Sequence, residues 1–326
     1  MPTGTRIRRA GPEDAETIAR MVAALSEAEG GPVPHFDALA YRRDGFGPQR
    51  RFEVLLAETG GRPAGYALFH PSYDTDRVVR AAYLGDLYVE AWARGSGLGR
   101  LLAASVARLA AAAGDENLHW TVLRRNTAAR RFYARFARED DSLLHCFADA
   151  PALPRLAAAR PLSAASIRPA RVEDAPLLAD FLAQLMAALG EGPLAAGAAP
   201  RLADHGFGAD PRFEALIAEA GAGSPAVGYA LFWPIYDTDT GGPVMYLSDL
   251  FVAEAWRGGG LALDLMAAVA RRAMAAGHKG IVWEVLEHNL RARAFYRRLA
   301  EESNDAIVVN CAGDDFRRLA AEGLAI

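Results

Sequence analysis

Two stretches decide how this chain folds: YLGDLYVEAWARGSGLG at residues 83–99 and YLSDLFVAEAWRGGGLA at residues 246–262. Each runs from an alternating apolar strand into a glycine-rich turn and the start of a helix. Further on, WTVLRRNTAARRFY (120–133) returns as WEVLEHNLRARAFY (283–296). Arg94 and Arg257, Asn126 and Asn289, and Tyr133 and Tyr296 all keep one offset of 163. Upstream, TRIRRAGPEDAETIARMV (5–22) matches ASIRPARVEDAPLLADFL (165–182), and DGFGPQRRFEVLLAE (44–58) matches HGFGADPRFEALIAE (205–219). Small loop insertions account for the drift in offset, so the two copies are collinear. A chain of 326 residues is long enough for two domains. The repeat predicts an N-terminal domain over 1–148, an Ala/Pro-rich linker over 149–163 (DAPALPRLAAARPLS) and a C-terminal domain over 164–326.

Composition narrows the class. Hydrophobic residues make up 52% and charged ones 23%, as in ordinary globular proteins, and the net charge of −4 gives no general pull toward nucleic acid. The basic run Arg124–Arg135 reads as a solvated helix face, with anion contact as the alternative. Two cysteines, Cys146 and Cys311, are too few for a disulfide scaffold and sit in apolar runs, where buried thiols are expected. The opening MPTGTRIRRA has no apolar signal core, and Arg108 interrupts the alanine-rich stretch 101–113 far short of a membrane span. A cytoplasmic protein with no nucleic-acid or membrane partner is expected.

Within each repeat the pattern predicts an α/β domain: a mixed, mostly antiparallel sheet flanked by helices. A short strand (Thr5–Arg8; Ser166–Arg168) precedes a helix whose apolar positions include Ile18, Met21, Val22 and Leu25. Two strands, a turn-rich YDTD loop and the strand of the opening quotation follow. Then come the glycine turn, a helix (Leu98–Ala113; Leu261–Ala276), a strand (His119–Leu123; Ile281–Leu286), a helix (Thr127–Phe136; Leu290–Leu299) and a last strand.

The glycine turns read Arg94-Gly95-Ser96-Gly97-Leu98-Gly99 and Arg257-Gly258-Gly259-Gly260-Leu261-Ala262. Glycines let successive backbone N–H groups converge on one anion, a following helix adds its positive end, and an arginine at the rim adds charge. A plain tight turn explains the same letters. Neither G-x-x-x-x-G-K-[ST] nor G-x-G-x-x-G with a downstream acid is present. Asn126 with Ala129 and Tyr133, and Asn289 with Ala292 and Tyr296, lie near one helical face, so an amide and a phenol address one groove. An N-capping asparagine beside a buried aromatic pair is the structural alternative for each helix.

On these motifs the chain resembles the GCN5-related N-acetyltransferase (GNAT) family, once per repeat over nearly its whole length. It is most similar to the spermidine/spermine and thialysine branch, through Asp44–Gly47, YLGDLYV/YLSDLFV and VLRRN/VLEHN. The resemblance implies two tandem acyl-CoA N-acyltransferase domains that bind acetyl-CoA and acetylate the primary amine of a small, polyamine- or amino-acid-like molecule. It implies cofactor contacts at Leu87, Val89, Arg94, Gly95, Ser96, Gly97, Gly99 and Asn126. Those of the second repeat are Leu250, Val252, Arg257, Gly258, Gly259, Gly260, Ala262 and Asn289. Tyr133 and Tyr296 would protonate the departing thiolate, or else only hydrogen-bond the cofactor. No metal is implied.

The chain departs from that branch where it matters for chemistry. The branch carries a glutamate base before the strand aspartate; here Gly85 and Ser248 stand there. Asp86 and Asp249 are next to them, and strand alternation predicts that they point to the other face. Asp74, Asp76, Asp237 and Asp239 of the two YDTD loops form either ordinary Asx turns or an anionic lip for an ammonium. Glu284 is a candidate base in the second repeat, whereas His70 and His119 read as packed histidines. A non-catalytic acyl-CoA-binding protein and a protein or peptide N-acetyltransferase are the alternative functions. Segments 30–48 and 190–210 are expected to shape the acceptor pocket, and the repeats to pack as an intramolecular pseudo-dimer.

Overall fold

The computed structural model describes residues 4–326; Met1–Thr3 of the opening run lie outside it. The first repeat contributes β1 (Thr5–Arg9), α1 (Ala15–Ala28), α2 (Ala38–Phe46), β2 (Glu53–Thr59), β3 (Arg62–Asp74), β4 (Val79–Val89), α3 (Leu98–Ala112), β5 (Asn117–Leu123), α4 (Thr127–Tyr133), β6 (Arg138–Asp140) and β7 (Leu143–Ala148). A short helix α5 (Ala152–Ala157) follows. The second repeat gives β8 (Ser166–Pro169), α6 (Ala175–Leu189), α7 (Ala198–Phe207), β9 (Glu214–Glu219), β10 (Ala226–Asp237), β11 (Gly242–Val252), α8 (Leu261–Ala275), β12 (Ile281–Leu286), α9 (Leu290–Tyr296), β13 (Glu301–Ser303), β14 (Ala306–Ala312) and α10 (Gly313–Glu322).

The strands form two seven-stranded sheets, ordered β1-β2-β3-β4-β5-β14-β6 and β13-β7-β12-β11-β10-β9-β8. Among the described residues only β4 with β5 and β11 with β12 pair in parallel; every other pair is antiparallel. This is the mixed, mostly antiparallel architecture predicted. The sheets do not coincide with the repeats, however. β14 of the second repeat lies between β5 and β6, and β7 of the first lies between β12 and β13. Each sheet is completed by the last strand of the other copy. Consequently Cys311 packs in the core around α3 and donates to the Phe136 carbonyl at 3.2 Å, while Cys146 packs in the core around α8. Burial pushes their thiols up to about 12 and about 11, so they are inert packing groups.

Three local features differ from the sequence reading. Helix α2 is capped by Asp37, whose carboxylate accepts from Ala40 N at 2.7 Å, and it takes in the Asp44-Gly45-Phe46 segment, where no helix was predicted. Helix α7 does the same through Phe207. The linker carries α5, whose Leu153 and Leu156 are buried against α8. It then passes Leu162 over Gly260: a Cβ built on that glycine would lie 2.4 Å from the Leu162 Cβ. Asp264 holds the segment there, accepting from Leu162 N (2.8 Å), Ser163 N (2.8 Å) and Ser163 Oγ (2.5 Å). The first-repeat counterpart of Asp264 is Leu101, which cannot accept.

Candidate active sites

The sites begin with a fork in each sheet. β4 pairs with β5 only over Ala81–Tyr83 and Asn117–His119, although β4 runs on to Val89 and β5 to Leu123. β11 and β12 pair only over Met245–Leu247 and Ile281–Trp283. Past the fork, one backbone edge of each central strand, including Leu87 and Val89 or Leu250 and Val252, has no strand partner among the described residues and faces a wedge. Buried peptide groups need partners, so the wedge suits an extended ligand carrying amides.

At the mouth of the wedge sits the glycine turn. Gly95, Gly97, Gly258 and Gly260 all have positive φ (76°, 87°, 85° and 89°), a region closed to most side chains. Gly97 and Gly260 cap α3 and α8, so the free amides of each helix start open onto the turn. Arg94 and Arg257 each donate Nε to the last strand carbonyl, Val89 O or Val252 O, at 2.9 Å. They brace the turn and leave their terminal nitrogens at its rim. Ser96 Oγ donates to Ala93 O at 2.7 Å. Gly99 lies against Phe132 and Val89: a Cβ added there would stand 3.5 and 3.6 Å from them, and the second repeat carries Ala262 at this position.

Asn126 and Asn289 are N-caps, their Oδ1 atoms accepting from Ala129 N and Ala292 N at 3.1 Å. That leaves each amide NH2 for other partners, and in the first repeat it meets the Glu29 carboxyl. Tyr133 packs on Trp120 (4.8 Å between centroids) and Tyr296 on Trp283 (5.2 Å). Burial raises both phenols well above their ordinary range, so both are protonated at neutral pH.

A cavity of about 420 Å³ joins Asn126, Tyr133 and Leu87 of the first repeat to Asp237, Asp239 and Glu284 of the second. A second cavity of about 860 Å³ is lined by Leu250, Val252, Arg257–Ala262, Asn289 and Tyr296, together with Leu185 and Leu189 of α6. Glu29 in the first repeat corresponds to Leu189 in the second, so the acidic wall belongs to one site only.

The YDTD loops cross over. Thr238 Oγ1 donates to Asp86 at 3.2 Å, and Thr75 Oγ1 donates to Asp249 at 3.4 Å. Asp237 and Asp239 therefore approach the first site, and Asp76 approaches the second, where it faces Asp249. Two of these aspartates also make the turn itself. Asp74 accepts from Arg77 N at 3.0 Å and Asn117 Nδ2 at 2.7 Å, and Asp237 from Asp239 N at 2.8 Å. Glu284 accepts from Tyr246 OH at 2.6 Å, lies 3.5 Å from His145 Nδ1, and lines the cavity that opens from the first cradle. His70 is buried and His119 half-buried, and desolvation holds both neutral, near 4. His119 Nε2 lies 2.8 Å from Ser72 Oγ.

Three expectations are corrected, the role of Glu284 in the second repeat among them, since it lines the cavity of the first. Pairing runs Phe69 to Leu84 but Leu68 to Asp86, so Gly85 is an extra residue in β4. Such a bulge slips the alternation by one. Ala82 and Leu84 face the α3 core, and so do Leu87 and Val89, three residues further rather than two. Gly85 and Asp86 then share the opposite face: a Cβ on Gly85 would touch Leu68 Cδ2 at 3.1 Å, and Asp86 accepts from Tyr66 OH at 2.9 Å. Leu68 and Tyr66 both belong to the core under α1. Asp86 lines the cavity rather than pointing away from it. Ser248 is the equivalent bulge residue in β11, with Leu231 paired to Asp249 and Phe232 to Leu247. Nor do segments 30–48 and 190–210 line the cavities; the walls there come from the ends of α1 and α6. The letters had no bulge signal beyond Gly85 itself.

Fork, phosphate-type turn and protonated tyrosine, present twice, define a tandem N-acyltransferase. The chain belongs to the acetyltransferase (GNAT) family, whose model matches residues 19–137 and 184–300. Among curated relatives it is 33% identical over 147 residues to mouse thialysine N-epsilon-acetyltransferase, covering 42% of this chain and 85% of that one. It is 28% identical over 93 residues to an L-ornithine N5-acetyltransferase of Arabidopsis thaliana, covering 28% of this chain and 41% of that one. A tandem GNAT protein from the clavulanic acid biosynthesis pathway shares the fold over 94% of this chain and 98% of its own, with a TM-score of 0.51 at 18% identity. The protein is thus an acetyltransferase with two GNAT units. No helix among the described residues is long and apolar enough to cross a membrane.

Proposed function

We propose that the protein transfers an acetyl group from acetyl-CoA to the primary amine of a small molecule, polyamine- or amino-acid-like. The observation that carries this reading is the fork: an unpaired strand edge leads from a positive-φ glycine turn to a buried, protonated tyrosine. These residues fit the cofactor. The turn amides of Gly95–Gly99 and Gly258–Ala262 would take its diphosphate, and the edges at Leu87–Val89 and Leu250–Val252 its pantetheine amides. When bound, acetyl-CoA supplies the acetyl group as a thioester. Tyr133 and Tyr296 hold a proton for the leaving sulfur, and the acidic lining of the first cavity attracts a cationic acceptor. Relatives named for acting on thialysine and ornithine side-chain amines support an acceptor of this size and charge.

The test is isothermal titration with acetyl-CoA, followed by amine-dependent release of free CoA. Two binding sites, one weakened by Arg94→Ala and the other by Arg257→Ala, are expected. Binding without release in any amine would favour the acyl-CoA-binding alternative, and no binding would overturn the proposal.

A further inference from the structure

The missing glutamate leaves each site without a proton acceptor at that strand position, since Gly85 and Ser248 cannot serve. The bulge supplies one. It turns Asp86 onto the cavity face beside Gly85, and the equivalent bulge in β11 sets Asp249 beside Ser248 on the corresponding face of its strand. Both carboxyls are nearly sealed (8% and 6% exposed), and neither is paired with an arginine or lysine of the described residues. Each is held by neutral hydroxyl donors. Tyr66 (2.9 Å) and Thr238 (3.2 Å) bond Asp86, while Ser248 (3.3 Å) and Thr75 (3.4 Å) bond Asp249.

We propose that Asp86 in the first site and Asp249 in the second take the proton from the incoming ammonium, each positioned by a threonine of the opposite repeat. This rests on the acetyl-transfer reading above. The ammonium loses one proton to the carboxylate, which passes it to solvent. The freed lone pair forms the N–C bond as the C–S bond breaks. The nitrogen sheds a second proton to solvent while the sulfur takes one from Tyr133 or Tyr296, which solvent then restores. The sum is ammonium plus thioester giving amide, thiol and one proton.

An ion-paired carboxylate would be too weak a base for this work, whereas a desolvated one with neutral donors is poised for it. Burial lifts both aspartates to about 7, and the hydroxyl donors pull in the opposite direction. Asp237 and Asp239 press Asp86 upward from the second repeat, and Asp76 presses Asp249 from the first. Tyr133 on α4 also faces Asp86, and Tyr246 and Tyr296 face Asp249. All of these phenols stay neutral at pH 7. Glu29, which faces Tyr133, and Glu284 are the remaining carboxyls at the first site, and the second has Leu189 in place of Glu29.

The experiment compares wild type, the Asp86→Asn/Asp249→Asn double variant and the Asp86→Glu/Asp249→Glu variant, each checked by thermal melting and acetyl-CoA titration. Wild-type kcat/KM for an amine is expected to rise through a limb near pH 7. The Asn variant should bind acetyl-CoA as wild type does but transfer about 100-fold more slowly at pH 7, without that limb. The Glu variant should recover part of the rate with a displaced limb. An Asn variant with undiminished rate and an unchanged limb would overturn the proposal while leaving acetyl transfer standing. A wild type that binds acetyl-CoA but acetylates no amine would overturn both.

Discussion

Thr238, in the second repeat, donates its hydroxyl to the Asp86 carboxylate of the first at 3.2 Å, and Thr75 reciprocates on Asp249 at 3.4 Å. A residue 152 positions away in sequence thus tunes the chemistry of the first site. A donor to the ionised form stabilises that form. Thr238→Val removes it, so the Asp86 pKa should rise. The limb of first-site activity that climbs with pH should then move upward by about one pH unit. pH–rate profiles in an Asp249→Asn background, where only the first site reports, check this. An unmoved profile would sink the idea of control across the repeats.

Tyr133 and Tyr296 are kept neutral by burial. Phenylalanine retains the ring packing on Trp120 and Trp283 but removes the proton. The double Phe variant should therefore lose on the order of 10²-fold or more in kcat with acetyl-CoA affinity preserved. Equal loss of affinity would instead assign the tyrosines to cofactor binding.

Glu284, bonded to Tyr246, places a carboxylate in the first cavity where the counterpart position on β5 is Thr121. Glu284→Thr should raise KM for acceptors with a second cationic group by about 10-fold, roughly 1.4 kcal/mol, and leave monoamines unaffected. Steady-state kinetics with matched diamine and monoamine pairs distinguish the two outcomes.

Asp264 pins the linker with three hydrogen bonds beside the second glycine turn. Asp264→Leu, the residue its counterpart Leu101 already is, should release that strap while α8 stays folded. Chymotryptic cleavage after the exposed Leu162 is expected to accelerate several-fold, and an unchanged digest would show that the strap is held by something else.

Arg212 is almost wholly buried between the repeats, 2.9 Å from Asp115, and donates to Ala81 O at 3.3 Å. Asp115→Asn leaves its charge with the exposed Asp210, 3.4 Å away, as counterion. Breaking a buried pair from one side costs about 3 kcal/mol. A correspondingly lower urea midpoint is expected.

Much of this protein was legible from the letters alone. The 163-residue offset required two like units, and the spacing of strand, turn, helix and N-x-x-A-x-x-F-Y marked where each element starts. Periodicity is a local property, and local properties survive translation from sequence to structure. At Asn126 and Asn289 the N-capping reading holds, since each amide oxygen accepts from the backbone three residues on.

What only the tertiary structure decided depends on pairing between distant strands. β7 and β14 carry the same apolar pattern as each other, so nothing in either says which sheet it completes. Gly85 and Asp86 read as alternating neighbours until the register with Leu68 and Phe69 shows a bulge that turns the aspartate onto the site. Leu162 looks like any linker residue until Asp264, 102 positions on, holds its backbone against the second turn. Sequence by itself determined the units and their elements, because those follow from spacing along the chain. Strand exchange, the placement of the aspartates and the composite cavity were decided by contacts between residues far apart, whose energies no local pattern records.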